Sequence, residues 1–262
     1  MNNDPETLAG DVLALQDGAA ARTALAPVTI GMSDAAVFRV TQGAPRFVKA
    51  ATGPAAAALR DEIARTQWLA GRGVAVPRIL RVEDRGNAIA MLMAAVAGQP
   101  ADESTLPTPR LVEALAKALA ALHALPVDDC TFDETLATRL KRAAAAVDAG
   151  EIDPAEFDPR NRDIAPRDLL RRLRNSQPRD DIVVLHGDLT LGNIVIGDDA
   201  VPAFIDCGHA GRGDRYTDLA LLHADIAAHR GSEAGARFLA LYGARDFDIA
   251  KARFYLDLYE LF

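Results

Sequence analysis

Near Gly98-Gln99-Pro100 the chain changes its repeat period, and that change most narrows what it can fold into. Upstream, Val28–Gly31, Ala36–Thr41 and Arg46–Ala50 are short runs of strand formers separated by turn residues. A helix follows, with Pro54 in its first turn, Leu59, Ile63 and Leu69 at helical spacing, and Gly71 and Gly73 to end it. Two more strands, Ile79–Glu83 and Ala88–Met93, flank a turn at Asp84-Arg85-Gly86-Asn87. Downstream, Leu111, Leu115, Leu119, Leu122 and Leu125 form one apolar stripe that Pro126 ends. Further helices are expected at Leu136–Val147, Pro166–Leu173, Asp218–Ala228, Ser232–Tyr242 and Asp248–Phe262. Brief strand signals fall at Ile182–Leu185, Ile194–Ile196 and Ala203–Ile205. The pattern predicts an α+β protein: an N-terminal antiparallel sheet plus helix over residues 1–95, and a larger, mainly helical part over 96–262.

The charge divides at the same place. Of a net charge of −8, residues 1–95 carry nine acids against ten bases, net +1, and residues 96–262 carry 28 acids against 19 bases, net −9. That balance disfavours nucleic acid as a partner and suits a cationic ligand of the second part. The longest apolar run, Ala88–Ala97, is half of what a bilayer span of about twenty residues needs. The acidic start MNNDPETLAG lacks the basic region of a signal peptide, and two cysteines cannot form a disulfide framework. A cytoplasmic protein without a membrane partner, monomeric or weakly dimeric, is expected.

The chemistry concentrates in His186-Gly-Asp188-Leu-Thr-Leu-Gly-Asn193 and Phe204-Ile-Asp206-Cys-Gly208. The sequence midpoint of Asn193 and Asp206 falls inside the turn Gly197–Ala200, so a hairpin folded there sets them roughly across from each other. With Asp188 they offer an oxygen-rich set suited to Mg²⁺, which completes its shell with water and substrate phosphates. A carboxylate that is not a ligand is then free to accept a hydroxyl proton.

These segments, with Gly211-x-x-Asp214-Arg215-Tyr-x-Asp218-Leu-Ala220, resemble the motifs of the aminoglycoside phosphotransferases, relatives of the protein-kinase fold. Gly31-Met-Ser-Asp-Ala-Ala-Val-Phe-Arg39, Phe47-Val-Lys49, Asp61-Glu62 through Ala70, and Tyr259-Glu-Leu-Phe262 extend the resemblance over nearly the whole chain, closest to the aminoglycoside 3′-phosphotransferases. The resemblance implies a bilobal kinase-like fold and ATP- and Mg²⁺-dependent phosphorylation of an antibiotic 3′-hydroxyl, with GTP as an alternative donor. It implies Asp188 as the catalytic base, Asn193 and Asp206 as Mg²⁺ ligands, and Lys49, held by Glu62, on the phosphates. Ser33 would cover the phosphates, and the backbone of Ala94 and Val96 would meet the base edge of the nucleotide. Phe47 would pack on the adenine or sit in the core. Asp158, Glu260 and the carboxylate of Phe262 would bind the aminoglycoside. His186 and Asp218 would support the catalytic loop.

Three positions depart from the family pattern. Tyr259 stands where an acid usually precedes the Glu, Pro159-Arg160-Asn161-Arg162 replaces a more acidic stretch, and His209 stands where an Arg is common. These substitutions motivate an alternative, the same kinase acting on another amino sugar, a macrolide or a choline-like alcohol. A non-catalytic nucleotide-binding module is the remaining alternative, and it predicts that Lys49, Asp188, Asn193 or Asp206 is missing. All four are present.

Overall fold

A computed structural model describes residues 4–28, 35–197 and 199–262. Two compact units are found, Met1–Gly98 together with Ala203–Gly208, and Gln99–Pro202 together with His209–Phe262.

The first unit begins with a helix that the sequence reading did not anticipate, α1 (Pro5–Asp17). Asp4 caps it by accepting the Thr7 N–H at 3.0 Å, and Pro5 occupies its first turn. A single 3₁₀ turn, Ala19–Thr23, leads to β1 (Leu25–Val28), β2 (Ala36–Val40), β3 (Arg46–Thr52), α2 (Pro54–Ala70), β4 (Ile79–Asp84) and β5 (Ala88–Ala94). The first strand was expected at Val28–Gly31; β1 lies earlier, and residues 29–31 fall outside the described segments.

The five strands form one antiparallel sheet in the order β1-β2-β3-β5-β4. Because strand side chains alternate, the sheet has two differently covered faces. Val48 and Ala50 of β3, with Ala88, Ala90 and Leu92 of β5, pack with Leu8, Ala9, Val12 and Leu13 of α1. Phe47 and Ala51 of β3, with Ile89, Met91 and Met93 of β5, pack with Ala56, Leu59 and Ile63 of α2. Lys49 shares the parity of Phe47 and Ala51, so its side chain belongs to the α2 face.

The second unit contains β6 (Gln99–Pro100), α3 (Thr108–His123), α4 (Leu136–Ala149), α5 (Pro166–Asn175), β7 (Ile182–Leu185) and β8 (Ile194–Ile196). After β9 (Pro202–Phe204), which leads into the segment of the first unit, come β10 (Gly211–Asp214), α6 (Tyr216–Arg230), α7 (Ser232–Tyr242) and α8 (Ile249–Tyr259). The core of α4, α5, α6 and α8 is apolar, with Leu140, Leu169, Leu173, Ala220 and Leu258 buried together. Strand β10 was not anticipated either, since Gly-Arg-Gly-Asp carries no strand signal. It pairs antiparallel with β7, Gly211 opposite Leu185 and Gly213 opposite Val183. A Cβ at Gly213 would lie 2.4 Å from the Glu134 carbonyl oxygen, so glycine permits this close approach. Buried Asp214 then fastens the junction, accepting from the Asp181 and Tyr216 amides and the Lys251 ammonium.

Among the described residues no helix is long and apolar enough to cross a membrane.

Candidate active site

In the first unit the charged cluster follows from the parity of β3. Lys49 Nζ, 5% exposed, lies 2.8 Å from Glu62 Oε1 on α2 and 2.5 Å from Asp206 Oδ1. Glu62 stands one turn from Leu59, on the side that faces the sheet. Burial alone would lower the Lys49 ammonium, but the charges of Glu62 and then Asp206 outweigh it and push it up to about 12. Lys49 is therefore a fixed cation. Asp206 reaches it from a left-handed backbone, φ 56°, which costs a non-glycine residue about 1–2 kcal/mol. Phe204 N–H, donated to the Ala75 carbonyl at 2.9 Å, ties the same segment to this unit. Burial and the two neighbouring carboxylates push the Cys207 thiol up to about 12, so it remains protonated and unreactive.

Phe47 is half-buried and packs against the α2 core cluster, the more ordinary of its two expected environments. The Ala94 N–H donates to the Arg78 carbonyl at 2.9 Å. Val96 lies in the connection after β5, half-buried. Ser33 falls outside the described residues.

In the second unit the loop after β7 is held from below. Asp218, fully buried on α6, accepts from His186 N at 2.7 Å and Gly187 N at 2.8 Å, with His123 Nε2 at 3.3 Å. Burial raises its carboxyl, but the His123 hydrogen bond and the charges and amides around it leave it below the usual range. His186, also fully buried, accepts from the Asp188 amide through Nδ1 at 3.3 Å, which makes it a loop support. Gly187 has φ 88°, and its carbonyl accepts from Arg139 Nη1 at 3.1 Å.

The loop presents Asp188. Asn193 Nδ2 donates to the Asp188 carbonyl at 2.8 Å and to its Oδ2 at 3.0 Å, while the Tyr259 hydroxyl donates to Oδ1 at 2.8 Å. Asp188 is thus an oriented carboxylate whose two oxygens both accept. With its amide nitrogen committed to Asp188, Asn193 of the second unit keeps its carboxamide oxygen as a hard donor, and in the first unit Asp206 presents a half-exposed carboxylate. Among the described residues no group of three or more His, Cys, Asp and Glu side chains forms a metal cluster. The Asn193 and Asp206 side chains each carry by themselves the hard oxygen that Mg²⁺ takes as a ligand.

The expected substrate-binding acids are partnered by residues that the sequence reading did not connect. Asp158 Oδ1 accepts from the Arg160 amide and guanidinium at 2.9 and 2.8 Å, which lowers its carboxyl. Glu260 accepts from Asp158 N and from Asn161 Nδ2 at 3.0 Å; burial is the larger influence and raises it. Asn161 also donates to Asp257 at 2.8 Å, and Arg172 bridges Asn161 and Asp257. Arg172 is therefore part of this acidic cluster. Asp257 was missed altogether; its signal was its place one turn before Glu260. Phe262 is 46% exposed, and the Arg139 guanidinium lies 4.7 Å from its ring centre.

His209 is held differently from an arginine. Arg142 Nη1 stands 3.1 Å from His209 Nδ1, and a guanidinium only donates, so the imidazole accepts and is neutral. Burial pushes His209 down to about 4; Glu134 opposes this, and Arg139 and Arg142 reinforce it. Between pH 4 and 6.5 the unfolded chain binds a proton here that the folded chain does not, so stability is complete above 6.5 and falls as pH drops towards 4. Urea melts from pH 7 to 4 are expected to show a shallower decline for His209→Asn than for the parent chain. Identical slopes would contradict the neutral assignment.

Residues 24–255 match the family described as "Phosphotransferase enzyme family". The streptomycin 3″-kinase of Streptomyces griseus is 37% identical over 244 residues, 88% of this chain and 89% of that protein. An aminoglycoside 3′-phosphotransferase of Niallia circulans is 33% identical, covering 92% of this chain and 94% of its own. Among solved structures, the aminoglycoside phosphotransferase APH(3″)-Id of Streptomyces rimosus superposes with a TM-score of 0.85 at 34% identity, covering 95% of this chain and 96% of that one. The fold is thus the protein-kinase-like fold that the motifs implied. With a family match over most of the chain and relatives above 30% identity along nearly its full length, the chain belongs to the phosphotransferase enzyme family.

Proposed function

We propose that this enzyme transfers the γ-phosphoryl group of ATP to a hydroxyl of an aminoglycoside antibiotic and so inactivates the drug. The observation that carries the reading is the double hold of Asn193 on Asp188, which fixes a carboxylate at the end of the loop to receive a hydroxyl. The acceptor O–H donates to Asp188; as the new O–P bond forms, the proton passes to the carboxylate. The bond between the γ-phosphorus and its bridging oxygen breaks, and the nucleoside diphosphate leaves with that electron pair. Lys49, kept cationic by Glu62, offsets phosphate charge. Asn193 and Asp206 would hold Mg²⁺, which neutralises phosphate oxygens when bound. The backbone of Ala94 and Val96 would meet the nucleotide base, with Phe47 beside it and Ser33 over the phosphates. Asp158, Glu260 and the terminal carboxylate of Phe262 would bind the drug's cationic groups. Cys130 and Cys207, buried and not joined in a disulfide, support a reducing cytoplasm as its location.

The sequence motifs favour the 3′-hydroxyl. A second reading, transfer to the 3″-hydroxyl of streptomycin, is supported by the likeness to the streptomycin 3″-kinase and to APH(3″)-Id, which has been solved with ADP and streptomycin. Kanamycin, tobramycin, which lacks the 3′-hydroxyl, and streptomycin distinguish the two when ADP release and product mass are followed with ATP and GTP as donors. Turnover of kanamycin but not tobramycin is the result expected of the 3′ enzyme, and streptomycin alone that of the 3″ enzyme. ADP release with none of the three overturns the aminoglycoside reading.

A further inference from the structure

Asp188 has two carboxylate oxygens, and each accepts a hydrogen bond from a side chain of the protein itself. Oδ2 accepts from Asn193, and Oδ1 accepts from the Tyr259 hydroxyl at 2.8 Å. An acceptor alcohol brings this carboxylate the same chemical group, an O–H donor, as the phenol that is there before it.

We propose that Tyr259 holds the acceptor's place on Asp188, so that every incoming hydroxyl, water included, must displace it. The proposal rests on Asp188 being the base of the phosphotransfer reaction. Tyr259 is the last residue of α8, and the fully buried Leu258 and Leu261 fix the backbone on either side. Its phenol can therefore leave only by rotation of its own side chain. Burial, and after it the Asp188 charge, raises the phenol above its ordinary pKa, so it stays a donor to Asp188 and not a phenolate. Water, which gains nothing from the rest of the site, competes poorly with an intramolecular donor. An antibiotic also held by carboxylates such as Asp158 and Glu260 displaces the phenol and reaches Oδ1. Tyr259 is thus a positioning residue that acts through Asp188 and suppresses hydrolysis until an acceptor saturates the site.

The test is Tyr259→Phe, which keeps the ring and removes the hydroxyl, with Tyr259→Met as a second variant should the first fold poorly. ADP release is measured without any acceptor and then against aminoglycoside concentration. One displaced hydrogen bond corresponds to about a fivefold effect. Acceptor-free ATP hydrolysis is expected to rise by that factor, and KM for the aminoglycoside to fall by a similar one with kcat unchanged. If the phenol merely braces Asp188, hydrolysis and kcat fall together while KM stays put, and the proposal is overturned. Unchanged hydrolysis overturns it too. Should the parent enzyme phosphorylate no aminoglycoside, the substrate assignment fails by itself, and the acceptor-free arm still decides the role of Tyr259.

Discussion

Asp188→Asn is expected to lower phosphotransfer by about a thousandfold, within the range general-base catalysis contributes, while leaving the thermal melt nearly unchanged. Asparagine has the size of aspartate, and its carboxamide oxygen can still accept from Asn193 or Tyr259. What it loses is the capacity to take the acceptor's proton. The measurement is steady-state ADP release with the best acceptor, beside circular dichroism and a melting curve. Turnover within about tenfold of the parent enzyme would remove Asp188 from the role of base, because a loss that small is below what a general base supplies.

Gly187→Ala is expected to damage the fold and the site together. The residue sits at φ 88°, and an added Cβ would stand 2.2 Å from the His209 carbonyl oxygen and 2.8 Å from His209 Cβ. Backbone does not yield as a flexible side chain does. Left-handed strain and the clash add to about 3–5 kcal/mol, which in a chain of this size lowers Tm by about 10 °C. The same shift pulls the Gly187 N–H from Asp218 and its carbonyl from Arg139, so Asp188 loses its bearing. A melt within 2 °C of the parent would mean that the loop relaxes around the methyl group and that the close approach is not needed.

The strands and helices that the sequence revealed were those with plain local signals. β3 and β5 are short runs rich in strand formers or apolar residues and bounded by turns, α3 carries a leucine stripe, and their structural limits fall close to the expected ones. α1 had its signals as well, with Asp4 and Pro5 at its start and Leu8, Val12 and Leu13 on one side. Its alanines and glycine dilute the apolar period, so those signals are weak beside the leucine stripe of α3. β10 could not be read, since its glycines record a neighbour's backbone and not a strand preference. The same division holds at the site. Local pattern puts Lys49 on a strand and Glu62 on a helix while the family resemblance pairs them, and Asp188 with Asn193 follows from a five-residue spacing. Tyr259 on Asp188 joins residues 71 positions apart, and Asn161 with Asp257 joins residues 96 apart; neither pairing leaves a trace in local pattern.

Helix α1 has a practical meaning for anyone who trims the chain to its recognisable portion. The family match begins at residue 24, seven residues after the helix ends at Asp17. Cutting there would strip Leu8, Ala9, Val12 and Leu13 from one face of the sheet and bare Val48, Ala50 and Leu92 to water. An uncovered apolar sheet face invites self-association. The shortened protein should therefore precipitate during expression although every phosphotransfer motif remains in it. The segment that identifies the enzyme is shorter than the segment that keeps it in solution.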